Sequence, residues 1–367
     1  MAYPRVPLRS RGASGCPRRC RLTETLFLFL CGGLGLALGI PESLSASGLA
    51  PSQEEIQKYR NSWNPLSYGP LMVISADLHP QGQCNLRPFF FSQISEKRFG
   101  NDLSVDRTTS STHSYAISPL VTGGCGVTDH FEVGFAISAS SFWARDSTRF
   151  NAGQGGPVTT NTGIGDLTIG FAYRPIVQDP GSWRPSITPI TQIALPTSRW
   201  LTSTKAPPGD FLPLGRLPAS RFGRPSITEG LLFRKNIQPF RISGGMYYTY
   251  HFTGSEAGQD THVSDVINTR LAFEYVVDDK KGLAYNLEFV GLHGVPFRLD
   301  GREINRGLKH GFTSLGVEPA VQFKLTDRLA GSAGVLFTVA GQNALDGIYP
   351  NFSLFWFWSK SGKIIMR

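Results

Sequence analysis

The chain is poor in charge. Asp, Glu, Lys and Arg make up 17% of its 367 residues, against roughly 25% in an average soluble domain. It is poor in cysteine, with five in all, too few for a small scaffold stapled by disulfides. Apolar runs long enough for a membrane helix, about 20 residues, are missing after residue 40, which excludes a helical membrane bundle. The seven histidines are scattered, with no HExxH or CxxC spacing, so neither a metal nor a cofactor is expected. No phosphate fingerprint occurs either, because GGCG (123–126) and GQGG (153–156) are shorter than any phosphate-cradling loop. Lys and Arg do not cluster among aromatics, so nucleic acid is not an expected partner. What the chain does have is 41 glycines and 11% aromatic residues, and so many aromatics exclude a disordered polymer.

The first fifty residues stand apart. Arg5, Arg9, Arg11, Arg18, Arg19 and Arg21 precede the apolar stretch LFLFLCGGLGLALGI (26–40), and the small residues SLSASGLA (43–50) follow it. A basic region, a short apolar core and a small-residue exit predict a secretory signal peptide, cleaved within 46–50. The alternative is a membrane anchor. At about 1.5 Å per residue, however, this core is too short for a hydrocarbon layer of about 30 Å. Leu30 before Cys31 and the apolar residues after it argue against a lipoprotein. Cleavage removes Cys16, Cys20 and Cys31 and leaves Cys84 and Cys125, an even pair in an exported protein.

Residues 51–83 are expected to form a periplasmic N-terminal extension. Ser52 and Glu55 have the spacing of a capping box for a short helix over 52–60. Pro- and Gly-rich sequence follows, with 71–78 placed outside the barrel wall.

From residue 84 the dominant pattern is alternation. Phe131, Val133, Phe135 and Ile137 fall on one face, and Glu132, Gly134, Ala136 and Ser138 on the other. The same period of two runs through 165–173, 240–252 and 313–325. These segments span about 10–14 residues, longer than the five or six of sandwich strands and enough for a tilted strand to cross a bilayer. Predicted connections at 99–111, 126–129, 144–161, 175–183, 196–223, 235–238, 253–264, 277–281, 295–308, 326–328 and 341–349 alternate long and short. That is the habit of outer-membrane barrels, which have short periplasmic turns and longer outer loops. The fold class expected is therefore all-β, an antiparallel transmembrane β-barrel of 12 strands over 84–358, with 14 as the alternative and 359–367 as a tail. Tyr247, Tyr248, Tyr250, Phe252, Phe352, Phe355, Trp356, Phe357 and Trp358 gather near strand ends and are expected to form an interfacial girdle.

GVTDHFEVGFAI (126–137), TGIGDLTIGFAYRP (162–175), IALPTS (193–198) and ADLHPQG (76–82) together resemble the outer-membrane family named for the MetA pathway of phenol degradation. The likeness runs from about 76 to 358. It implies a bacterial outer-membrane barrel discussed as an importer of hydrophobic or aromatic compounds, and it carries over no catalytic or binding residue. One departure is that the aromatic strand stops at Trp358, whereas such barrels usually end on an aromatic residue.

The alternation nominates a polar lumen set: Glu132, Asp166, Glu229, Arg241, Asn268, Arg270, Glu274, Glu288, Glu318 and Lys324. Inside a barrel, charges of both signs either pair to prop the wall or form a polar constriction that selects solutes. Cys84 and Cys125 are expected at the periplasmic ends of neighbouring strands, as a disulfide or as two small buried thiols. A lipid hydrolase is a weaker reading, built on His262, Ser264 and Glu274. The loop over 196–223 holds Pro196, Pro207, Pro208, Pro213 and Pro218, and serves as either a constriction or a solvent-exposed loop.

The expected function is a passive channel, not an enzyme, for small hydrophobic or aromatic solutes. The alternative is a structural or adhesive barrel with a closed lumen. Expected partners are outer-membrane lipid and the barrel-assembly machinery, with the protein a monomer. N-terminal sequencing of protein recovered from the membrane is expected to begin within 46–50, and recovery of the intact first fifty residues would overturn the signal-peptide reading.

Overall fold

The structure is a computed structural model that describes residues 50–64, 70–146, 158–197, 225–256, 259–262, 265–295, 298–299, 302–303 and 311–359. The chain divides into two units, Met1–Leu49 and Ala50–Arg367. The first lies outside the described residues, as do the predicted signal peptide, most of the Pro-rich loop over 196–223, and Ser264.

One helix opens the second unit, α1 (Gln53–Arg60). Ser52 accepts the Glu55 N–H, and the Glu55 carboxylate accepts the Ser52 N–H, so the capping box forms as its spacing predicts. Twelve wall strands follow: β1 (Gln83–Phe99), β2 (Arg107–Thr128), β3 (Phe131–Asp146), a fourth split into β4 (Val158–Ile164) and β5 (Leu167–Tyr173), β6 (Ser186–Leu195), β7 (Ser226–Ile237), β8 (Phe240–His251), β11 (Val266–Asp278), β12 (Leu283–Gly294), β15 (Phe312–Lys324), β16 (Leu329–Gln342) and β17 (Leu345–Ser359). Short strands β9 (Gly254–Glu256), β10 (Gln259–His262), β13 (Arg298–Leu299) and β14 (Arg302–Glu303) form a separate small sheet at the long-loop end.

Each wall strand pairs antiparallel with its neighbours in sequence, and β1 pairs with both β2 and β17. The ring therefore closes with 12 strands, the number expected from the alternation. The alternation also sets the faces. Along β17, Tyr349, Asn351, Ser353, Phe355 and Phe357 point inward, while Ile348, Phe352, Leu354, Trp356 and Trp358 are exposed on the outside. This corrects the predicted girdle. Tyr247, Phe355 and Phe357 are buried in the lumen, because a period of two splits any consecutive aromatic run between the two faces.

The predicted loop over 341–349 is a two-residue turn, Asn343 and Ala344, with Asn343 at φ 50°. Asp346, Gly347 and Pro350 look like loop residues, yet they extend β17, and the ladder to β1 skips Pro350. The fourth wall strand is interrupted at Gly165 and Asp166. A Cβ on Gly165 would lie 2.0 Å from Ser138 Oγ, so a larger residue there would require the Ser138 hydroxyl to turn away. Cys84 and Cys125 stand opposite each other in the β1–β2 ladder and are joined as a disulfide at the short-turn end of the wall.

Residues 70–82 form no wall strand. The stretch 71–78, placed outside the wall as part of a periplasmic extension, adds no strand to the wall but lies inside the ring, where Leu71, Met72, Val73, Ala76 and Leu78 are all buried.

Candidate functional site

The lumen segment is a plug built in three tiers. At the short-turn mouth α1 lies against the turns. Arg60 pairs with Asp129, Lys58 with Asp179 at 3.0 Å, Arg184 with Glu55 at 2.9 Å, and the Trp63 indole N–H donates to Asp279. The hydrogen bond from Lys58 holds the half-buried Asp179 carboxyl below its ordinary range. Ile56 and Tyr59 pack on Val177.

The second tier centres on Asp77. Its carboxylate receives Arg174 Nη1 and Arg234 Nη1, each at 3.0 Å, and the Tyr59 hydroxyl at 2.6 Å. The side chains of Arg174 and Arg234 are 0% and 3% exposed, so this one carboxylate is shared between two buried cations. Thr188 donates to the Ala76 carbonyl, and His79 contacts Glu132 through its backbone N–H and through Nδ1 at 2.7 Å. The segment leaves the lumen along Gly126. A Cβ on Gly126 would lie 2.3 Å from the carbonyl oxygens of His79 and Pro80, and the Gly82 N–H donates to the Gly126 carbonyl.

The third tier holds the plug tip, and it reads backbone. Glu288 accepts the N–H groups of Leu71, Met72 and Val73 at 2.6, 2.8 and 3.1 Å. Arg87 donates to the carbonyls of Pro70 and Leu71, and Arg270 donates to that of Met72. Charge-assisted bonds of this kind are roughly twice as strong as neutral ones. The Leu71 and Met72 side chains join an apolar ring of Phe89, Phe91, Leu120, Val290, Leu336 and Tyr349. Leu71 Cδ1 rests in the space that a Cβ on Gly334 would need. The Arg87 guanidinium is stacked between the rings of Phe89 and Phe355, 3.9 and 3.8 Å from their centroids.

Of the nominated lumen residues, Glu132 and Glu288 touch the plug directly, as does Arg270, which also hydrogen-bonds Asn268. Arg241 pairs with Glu274 at 3.1 Å in the wall below the tip. Glu318 stands opposite Glu288 and accepts from Asn351. Asp166 is buried at the break in the fourth strand. Two nominations fail. Glu229 shares the outward phase of β7 with the exposed Leu231 and Phe233, and it accepts the Thr191 hydroxyl at 2.8 Å on the outer face. Its strand is inward at Leu232, Arg234 and Asn236, one residue out of phase with the expected set. Lys324 sits at the short-turn rim, where it pairs locally with Asp327 at 2.5 Å. The hydrolase grouping also fails to assemble. His262 lies 3.5 Å from Asp265 before β11 begins, while Glu274 is nine positions further along, about 30 Å at strand rise.

Arg87, Arg174, Arg234 and Asp77 escaped the sequence reading. Arg174 and Asp77 lie within the family-like motifs 162–175 and 76–82, whose meeting in space no alternation pattern reports.

The fold is similar to that of an outer-membrane channel from Pseudomonas putida, with a TM-score of 0.61 and 10% identity, covering 77% of this chain and 98% of that one. At this identity the likeness establishes the outer-membrane barrel fold. The transport unit of an autotransporter from Escherichia coli (TM-score 0.45, 9% identity, 75% and 90% covered) and the translocator domain of one from Neisseria meningitidis (0.44, 11%, 77% and 90%) are more distant and carry no argument. Neither a family profile nor a curated protein matches the chain.

Removing the Asp77 charge should release the plug. Asp77→Asn leaves Arg174 and Arg234 buried without their anion, a loss of about 3–5 kcal/mol. Proteolysis within 50–82 is expected to accelerate while the wall stays folded, and unchanged cleavage would count against the anchor. Tyr59 adds a pH signature. Burial, reinforced by the Asp77 charge, pushes its hydroxyl up to about 12. The unfolded phenol loses its proton from about pH 10, so the folded state binds more protons between the two values. Stability should be full below pH 10 and fall as pH rises toward 12, and Tyr59→Phe should remove that part of the slope in a pH series of thermal melts.

Proposed function

We propose that the protein is an outer-membrane barrel that passes small hydrophobic or aromatic molecules when its plug tip moves aside. In this reading the signal peptide is cleaved, the short turns face the periplasm, and α1 lies at the periplasmic mouth. The observation that carries it is the apolar ring around Leu71 and Met72 in a lumen that also carries many charged and polar side chains. A polar constriction alone would favour hydrated ions. A ring of Phe89, Phe91, Leu120, Leu336 and Tyr349 favours solutes that resemble the side chains already seated there. The buried Phe355 and Phe357 extend apolar surface toward the short-turn end. The family resemblance, with its aromatic compounds, points the same way, as does the fold shared with a channel.

Magnitudes fix the resting state. Burying Leu71 and Met72 is worth roughly 1.5–3 kcal/mol each. With a factor of ten per 1.4 kcal/mol, spontaneous exposure of the tip is rare before any hydrogen bond is counted. The lumen therefore rests closed, and opening needs a ligand to refill the ring or a force on the plug. Passage is passive, down a gradient, and no step in it calls for an enzyme.

The dense polar grip on the plug favours a second reading, a permanently closed structural barrel. Planar-bilayer recording separates the two. The wild type is expected to show rare brief steps, and Asp77→Asn frequent ones, with small aromatic solutes blocking the open state. A folded Asp77→Asn protein that never conducts, in liposomes that also take up no aromatic solute, would leave the structural reading standing.

A further inference from the structure

The wall groups around the plug tip recognise one kind of chemistry. Glu288 takes three consecutive N–H donors. Arg87 and Arg270 supply donors to three carbonyls. Facing them, the ring of Phe89, Phe91, Leu120, Val290, Leu336 and Tyr349 takes two unbranched or γ-branched side chains. Gly334 leaves a hole beside Glu318 and Ala320, and Leu71 fills it.

Hydrogen-bonding capacity also exceeds what the tip uses. Glu318 Oε2, both amide atoms of Asn286 and Asn351 Oδ1 are buried without a partner among the described residues. Glu318 is 0% exposed and stands directly opposite Glu288, and Asn286 lies two positions before Glu288 on the same face of β12. Buried polar atoms left unpaired each carry a cost. Here Glu318 and Asn286 flank Glu288, which holds the tip, and Asn351 donates to Glu318.

We infer that the plug tip is an internal stand-in for a ligand, and that this seat binds small amphipathic amides. Such a ligand has an apolar body of about two aliphatic side chains and adjacent N–H and C=O groups, as in a short hydrophobic peptide or an N-acyl amino-acid amide. The body replaces Leu71 and Met72 in the ring. The amide N–H groups replace those of 71–73 on Glu288, and the carbonyls take the Arg87 and Arg270 donors. A second polar end reaches the spare acceptors of Glu318 and Asn351. A plain hydrocarbon fills the ring but leaves Glu288 and both arginines without partners, so it displaces the tip poorly. This inference rests on the proposed movement of the tip and narrows the solute class that drives it.

The test uses the full mature chain in detergent micelles. Val73→Cys places a thiol on the tip, buried in the resting state, while Cys84 and Cys125 remain in their disulfide. Labelling by a water-soluble maleimide is followed with increasing N-hexanoyl-leucine methylamide, a diamide with two aliphatic chains, and in parallel with toluene. The diamide is expected to accelerate labelling at least fivefold and saturably, with toluene changing the rate less than twofold. Glu288→Gln in the same reporter should cut the diamide's acceleration several-fold relative to its own baseline. No acceleration by the diamide, or equal acceleration by toluene, overturns the proposal. Equilibrium dialysis of the labelled diamide against the unsubstituted protein needs no variant. One saturable site supports the proposal, and uptake equal to that of empty micelles overturns it. Liposome flux keeps the two readings apart. Saturable diamide binding without flux of any solute sinks the channel and keeps the site, whereas aromatic flux without diamide binding does the reverse.

Discussion

Closure of the wall is the constraint on which everything else depends. In a bilayer no water meets an exposed N–H or C=O, so a sheet that crosses it has to pair every edge. The β1–β17 ladder does this, joining the first wall strand to the last across residues 247 to 276 apart in sequence. Once the ring is closed, the period of two has a fixed meaning. One residue in two faces outward, and most of these are large and apolar. The other faces a lumen of limited width, which must be filled or left wet.

The plug follows from how that lumen is filled. A chain segment inside a barrel has no strand partner, so its backbone groups must be satisfied by side chains from the wall. Glu288, Arg87, Arg270 and Thr188 do this for residues 70–76. Asp77 adds the one charge that reconciles Arg174 with Arg234. These wall residues look like an ion network when only the wall is considered. With the plug in place, part of that network is a receptor for backbone. The tip tier combines charge-assisted backbone bonds with an apolar ring, and the tiers nearer the short-turn mouth add the Asp77 and α1 ion pairs. Local movement of the tip is therefore cheaper than withdrawal of the whole segment.

The two outcomes for polar residues on strands show where sequence reading succeeds and where it fails. Glu132, Arg241, Glu274, Glu288 and Glu318 sit in long unbroken strands whose apolar partners fix the phase, and their side chains lie on the lumen side. Glu229 lies in a strand where Leu231 and Leu232 are both large and apolar, so two phases fit the sequence equally well. Only pairing with Thr191 and Tyr248 on the neighbouring strands decides for the outer face. Lys324 has the right phase but lies at the rim, since phase says nothing of depth when a strand's end is set by its turn.

The sequence by itself determined the architecture: the capping box of α1, the alternation, the twelve strands and the short turns at one end. Each is a local property, legible within a window of a dozen residues, because strand period and turn chemistry act between near neighbours. Only the tertiary structure decided what occupies the lumen. The contacts of Asp77 with Arg174 and Arg234, and of residues 71–73 with Glu288, join segments some 100 to 217 positions apart. Residues 70–82 carry no periodic pattern of their own, because a segment bound through its backbone places little demand on its side chains. Its position is set by the ring that surrounds it, and that ring exists only once the first strand has met the last.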